Sequence, residues 1–190
     1  MNKLYIEDAE YQGIDYSKIH LEVGEFSTCT FLNCNFSNTD LSNIDFEECV
    51  FRDCDFSLAK INNTSFREVK FVSCKLLGLH FDDCRKFLFA VSFEGCQLNL
   101  SSFFKVNLKN TLFVNCSLKE VDFTEANLTS SLLDNCDLLG ATFDHTVLEK
   151  SDFRSSHNYS INPEINRLKS AKFSLLGVVG LLDKYHIVVE

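Results

Sequence analysis

Basic residues are scarce in this chain: 18 Lys and Arg stand against 27 Asp and Glu, for a formal net charge of −9. That balance argues against direct nucleic-acid binding, because phosphate contacts draw on Lys and Arg. The chain has no long apolar run either. The longest, Phe173 to Leu182, falls well short of the roughly 20 residues that cross a bilayer. The opening MNKLYIEDAEY turns acidic at once and carries no apolar core, so no signal peptide is read there. The expectation is a cytoplasmic chain with no membrane partner. Catalytic signatures are missing as well. There is no nucleophile elbow, phosphate loop or HExxH, and His20, His80, His145, His157 and His186 show no ligand spacing. Glu47-Glu48 and Asp82-Asp83 are neighbours in sequence, whereas a catalytic carboxylate pair needs a desolvated cleft. The chain is read as a non-enzyme without cofactor or metal.

What is present is a period of five. Apolar residues recur from Ile6, Tyr11, Tyr16, Leu21, Phe26 and Phe31 through to Phe81, slip by two, and resume as Leu88, Phe93 and Leu98 through to Phe153. Neither a helix nor an alternating strand has this period. Of the 19 phenylalanines, 15 lie in the row. The row describes a repeat solenoid whose function must lie on its surface.

The nine cysteines follow the same frame. Cys29, Cys34, Cys49, Cys54, Cys74, Cys96, Cys116 and Cys136 stand two residues before a row residue, and so does Cys84 if the first frame is extended. Other pentads carry Ala59, Thr64, Val69, Val106, Ala126 or Ser131 in that slot. A slot that accepts all of these is a small buried pocket, in which free cysteine serves as a small hydrophobe. Disulfide and zinc readings are therefore set aside. Cys34, Cys54 and Cys74 lie 20 apart, as do Cys96, Cys116 and Cys136, so one coil holds four pentads and has four sides.

The pentads CNFSN (34–38), TDLSN (39–43), CDFSL (54–58), VDFTE (121–125), ANLTS (126–130) and SDFRS (151–155) resemble the pentapeptide repeat family. The likeness extends over residues 4–156. It implies an all-β solenoid, a right-handed quadrilateral β-helix closed by a short C-terminal helical cap. With coils stacked at the strand spacing of about 4.8 Å, about seven and a half coils make a rod of roughly 36 Å.

Two segments break the pattern. The slip within 82–87 is read as a local bulge in a single repeat domain of residues 1–156, since the cysteine column keeps its phase across it. A functional loop is the alternative there, with Arg85 and Lys86 beside Asp82 and Asp83, and Phe87 and Phe89 directed outward. Residues 157–190 are read as the cap. Asn162-Pro163-Glu164 has the form of a helix start. Leu168, Ala171, Leu175, Leu176, Val179 and Leu182 are spaced for one or two short helices, and an extended Ile187–Val189 follows. The resemblance to Qnr- and MfpA-type members implies that this segment also forms a homodimer, through Leu175, Leu176, Val179 and Leu182.

The frame also sorts the charges. The side of Phe26, Phe46 and Phe66 carries eight acids against three bases, and the side before it seven against two, so each has a net charge of −5. The likeness to the Qnr/MfpA-type DNA mimics implies a protein partner, DNA gyrase or topoisomerase IV, contacted through carboxylates in place of phosphates. The residues named for that contact are Asp40, Asp45, Glu47, Glu48, Glu68, Asp82 and Asp83. The alternative is an interaction scaffold with an unrelated protein partner.

Overall fold

Five residues make one side of the coil and one corner. In each pentad the row residue and the small residue two before it point inward, and the other three face solvent. The corner falls two residues after the row residue, where the backbone takes a left-handed conformation, with φ between +51° and +65° at Asn33, Asn38, Asn43, Asn63, Asn110, Asn115 and Asn135. Asn tolerates this region better than most side chains, so its frequent use at the corner has a steric cause.

A computed structural model of the chain describes residues 4–188. The chain forms an all-β parallel solenoid of about seven turns, the right-handed quadrilateral β-helix. One side pairs as a four-stranded parallel sheet of β1 (Leu4–Glu7), β3 (Gly24–Ser27), β5 (Asp45–Glu47) and β7 (Ser65–Arg67). The next side pairs as a seven-stranded sheet of β2 (Glu10–Gln12), β4 (Thr30–Leu32), β6 (Val50–Arg52), β8 (Val69–Val72), β9 (Val91–Glu94), β10 (Leu112–Val114) and β11 (Leu132–Asp134). The other two sides hold single bridges, such as Asp15 to Asn35 to Asp55 to Lys75. Partners are 20 residues apart before the insertion, as in Phe31 on Phe51, and 22 across it, as in Phe71 on Phe93.

Like therefore stacks on like. Phe31, Phe51, Phe71, Phe93 and Phe113 form one column with successive ring centroids 4.8, 5.3, 5.4 and 5.1 Å apart. Phe81, Phe103, Phe123 and Phe143 form another at 4.6, 5.5 and 5.2 Å. Rings on adjacent sides meet edge to face, as Phe46 and Phe51 do at 81°. Burying each ring contributes about 1.5–3 kcal/mol, and each offset or edge-on pair about 0.5–1.5 kcal/mol more.

All nine cysteines are free and buried. Their slot does more than exclude water. Cys49, Cys54, Cys74 and Cys136 direct their thiols at the row carbonyls of Phe26, Phe31, Phe51 and Phe113 one coil below, at 3.3–3.4 Å. Thr64, Ser131 and Thr146 donate hydroxyls in the same way to Leu41, Leu108 and Phe123, at 2.6–2.9 Å. The preference for Cys, Ser and Thr thus reflects a donor that ties successive coils as well as a small volume. Burial pushes the Cys49 thiol up to about 12 and the Cys84 thiol up as well, which leaves both unreactive.

Two readings of the sequence need correction. Leu88 does not resume the row: it sits outside, 62% exposed, with φ +55°. Phe89 turns inward instead and meets Phe81 edge to face at 6.3 Å. Arg85 still keeps ordinary register, donating its backbone N–H to Thr64, and Val91 already pairs with Val69 at the shifted register. The extra residues are therefore taken up between Arg85 and Val91, toward the C-terminal end of the segment where the slip was placed.

No α-helix starts at Asn162. Asn162 accepts the Glu164 N–H in a local turn, which explains the capping signal, but the coil then resumes. Asn166 fills the small slot, accepting the Thr146 N–H at 2.7 Å and donating to the Phe143 carbonyl at 2.9 Å. Arg167 bridges Val147, Lys172 bridges Asp152, and Phe173 stacks on Phe153 at 5.5 Å. The period looked finished because Asn158 and Pro163 occupy two row positions, while Tyr159 and Ile161 supply the buried bulk. Beyond Phe173 come two short 3-10 turns, Gly177–Leu181 and Asp183–Tyr185. They lie on Tyr159 so closely that a Cβ at Gly177 would meet its hydroxyl at 2.1 Å, and one at Gly180 its carbonyl oxygen at 2.2 Å. Ile187 and Val188 join no strand, and Val189 lies outside the described residues.

Candidate protein-binding surface

The seven carboxylates named from the sequence do not form one patch. Register puts Asp40 and Asp82 on the side of Leu41, Phe81 and Phe123, with Asp83 at its corner, and puts Glu47 and Glu48 at the far edge of the next side. Asp40 is exposed, and its carboxyl is held below the usual range by hydrogen bonds from Ser42 and by Lys60. Asp82 faces His80 at 3.6 Å. Asp83 accepts from the Asn62 side chain at 3.2 Å.

Asp45 is a different case, because it is only 4% exposed. Arg85, fixed by Asn63 through its side-chain and backbone oxygens at 3.3 and 3.0 Å, reaches down to Asp45 at 2.9 Å. The sequence count left Arg85 unassigned because it falls inside the slip. In space it covers an acid that had been placed on the open surface. Glu47 is also engaged: Arg67 holds it at 2.8 Å and reaches Glu25 at 3.4 Å. Glu48 and Glu68 remain exposed one coil apart, both at left-handed corners, with φ +52° and +54°.

The insertion shapes the surface beside them. Val69 pairs with Val91, so Ala90 stands over Glu68 where a longer side chain would continue the column. Two shallow depressions result, each of about 300 Å³, and they share Glu48, Glu68 and Ala90. One is walled by Leu88 and Phe89, the other is floored by Val69 and Val91. Phe87, at 73% exposure, stands on the rim of the bulge.

At the C-terminal end Leu175 and Leu176 are both 89% exposed, Val179 is 40% exposed, and Leu182 is half-buried. A further depression of about 520 Å³ lies between this segment and the last coil, lined by His157, Tyr159, Ser174 and Asp183 among others. Among the described residues no group of three His, Cys, Asp or Glu is arranged to hold a metal ion, and no helix is long and apolar enough to cross a membrane.

A four-sided solenoid of stacked pentads with a filled apolar core defines a repeat protein of the β-helix class. The chain belongs to the pentapeptide repeat family: the model of the pentapeptide repeat region matches residues 24–86 and 86–162. Members of this family are generally structural or interaction proteins rather than enzymes. Among solved structures the chain is similar to full-length QnrB1, a plasmid-mediated fluoroquinolone resistance protein, at 18% identity and a TM-score of 0.59, over 96% of this chain and 100% of that one. It is equally similar to HetL of the cyanobacterium Nostoc sp. strain PCC 7120, a pentapeptide repeat protein involved in heterocyst differentiation regulation. That match is at 18% identity and a TM-score of 0.59, over 90% of this chain and 87% of HetL. Both likenesses speak for the fold. No curated protein matches significantly.

Proposed function

We propose that this chain is a non-enzymatic binding protein that presents carboxylates to the DNA-binding surface of a type II topoisomerase, DNA gyrase or topoisomerase IV, as a DNA mimic. The observation that carries the reading is the distribution of charge on the rod: two adjacent sides carry a net charge of −5 each, in a chain of net charge −9. Asp40, Glu48, Glu68 and Asp83 are exposed on these sides and Asp82 is half-buried, with Glu48 and Glu68 stacked one strand spacing apart, about 4.8 Å. The rod of roughly 36 Å compares with the 34–36 Å of one turn of B-DNA. Asp45, covered by Arg85, has a structural part instead. The exposed Leu175, Leu176 and Val179 support a homodimer through the C-terminal segment, which would place two such rods end to end. A topoisomerase partner puts the protein in the cytoplasm.

The test is a gyrase supercoiling assay across a fluoroquinolone titration. The wild-type protein is expected to shift the titration or the supercoiling rate. Changing Glu48, Glu68 and Asp83 together to Lys should abolish the shift, and rising salt should weaken it. An unchanged effect in the Lys variant would overturn the mimicry reading and favour a scaffold with an unrelated partner. Sedimentation of Leu175→Glu with Leu176→Glu, expected as a monomer, tests the dimer.

A further inference from the structure

We propose that the two depressions at the insertion form one groove that binds an extended protein segment carrying an arginine or lysine between apolar side chains. It rests on the preceding reading only in taking the partner to be a protein. Three observations lead to it. First, the side chains are arranged for an amphipathic cation: Glu48 and Glu68 form one wall, and Leu88, Phe89 and Ala90 the other. A long basic side chain would lay its aliphatic stem on the apolar wall and its charged head between the carboxylates. Second, the protein places a cationic head between two carboxylates one column away, where Arg67 reaches Glu47 and Glu25. Third, the groove exists only because the coil is interrupted. An uninterrupted pentad would turn its apolar residue into the axis, whereas here Leu88 is turned outward in a left-handed conformation.

Charge selects the occupant. Lys70 borders one depression and Arg67 the other. Arg67 is already paired with Glu25 and Glu47, and Lys70 alone stands against Glu48 and Glu68, so the groove keeps a net negative charge that favours a cation. A second copy of this chain, with its net charge of −9, is a poor candidate. A carboxylate-bearing segment would meet like charge, and a purely apolar one would leave the two acids desolvated.

The experiment uses the whole chain, labelled with ¹⁵N, and three capped pentapeptides: Gly-Leu-Arg-Leu-Gly, Gly-Ser-Arg-Ser-Gly and Gly-Leu-Glu-Leu-Gly. With the first, shifts are expected in segments 47–48, 67–70 and 88–92, with dissociation in the millimolar range. The other two should bind at least fivefold more weakly. Glu48→Gln with Glu68→Gln should weaken the first peptide about 5- to 10-fold, and Leu88→Ser should weaken it about threefold. Equal binding of the Ser-Arg-Ser peptide would overturn the proposal, because charge alone would then account for it. Shifts spread over Asp40, Asp82 and Asp122, or no shifts at all, would overturn it too. No topoisomerase is present, so failure here leaves the supercoiling test standing, and failure there leaves the groove standing.

Discussion

Removing Arg85 should destabilise the solenoid even though Arg85 stands at the edge of the insertion. Its guanidinium is 2.9 Å from the Asp45 carboxylate, whose side chain is 6% exposed. At an effective dielectric constant of about 20, the gross attraction over that distance is ~6 kcal/mol. Desolvating Asp45 offsets several kcal/mol of this. Arg85 keeps 35% of its side chain in water, so screening reduces the remainder further. We expect Arg85→Met to cost about 2 kcal/mol, mostly by taking a cation away from the buried Asp45 carboxylate, and Asp45→Asn about 1 kcal/mol. The double variant should recover part of the loss, giving a coupling of about 1 kcal/mol. In urea, with a slope of about 2 kcal/mol/M, Arg85→Met moves the midpoint down by about 1 M. Amide exchange at Arg85, bonded to Thr64 at 2.9 Å, should quicken in the same variant. If Asp45→Asn left stability unchanged within about 0.3 kcal/mol while weakening partner binding, Asp45 would belong to the binding surface and the structural assignment would fail.

Three further outcomes follow from the same geometry. Phe51→Ala, which removes a ring packed 4.8–5.3 Å from Phe31, Phe46, Phe56 and Phe71, should cost about 4 kcal/mol, whereas Phe87→Ala should change stability by less than about 0.5 kcal/mol, both read by urea unfolding. Gly177→Ala should displace the C-terminal turns from Tyr159, and limited proteolysis should then cut after residue 174 at enzyme levels that leave the wild type intact. Acid should loosen the molecule over a defined window. Hydrogen bonds from Lys18 and Ser17 lower Asp15 from 3.8 to about 2, and those from Arg154 and Ser42 lower Asp152 and Asp40. A carboxylate depressed by folding stabilises above its unfolded pKa, so the thermal midpoint should hold from neutral pH to about 5 and fall progressively between about 4 and 2.

The coil was legible because each inward position is set by one physical demand repeated without change, namely an apolar residue on the axis. Phe31, Phe93 and Phe153 declare themselves by spacing alone. What spacing could not show was substitution of one solution by another. Asn166 does in the small slot what Thr146 does by a different hydrogen bond, and Tyr159 supplies bulk that Asn158 does not, so the coil after Ser156 went unseen. The insertion misled for the opposite reason: Leu88 has the right chemistry for the row, but the two added residues turn it outward and bring in Phe89. On the surface, net charge per side was countable, yet pairing was not. Arg85 and Asp45 are 40 residues apart, and only the stacking of coils brings them together.

The regular 20-residue register also bears on how the molecule acquires its structure. Ladder partners sit 20 or 22 positions apart in a chain of 190. Their mean separation relative to length is therefore about 0.1, a value typical of helical bundles rather than sheet proteins. Each coil needs only its predecessor as a template, so assembly can spread rung by rung from any formed pair. The step from Arg85 to Val91 is where that propagation must change stride. A chain caught there would offer an unpaired β8 edge to another molecule, so the insertion marks the place where folding and aggregation compete most directly.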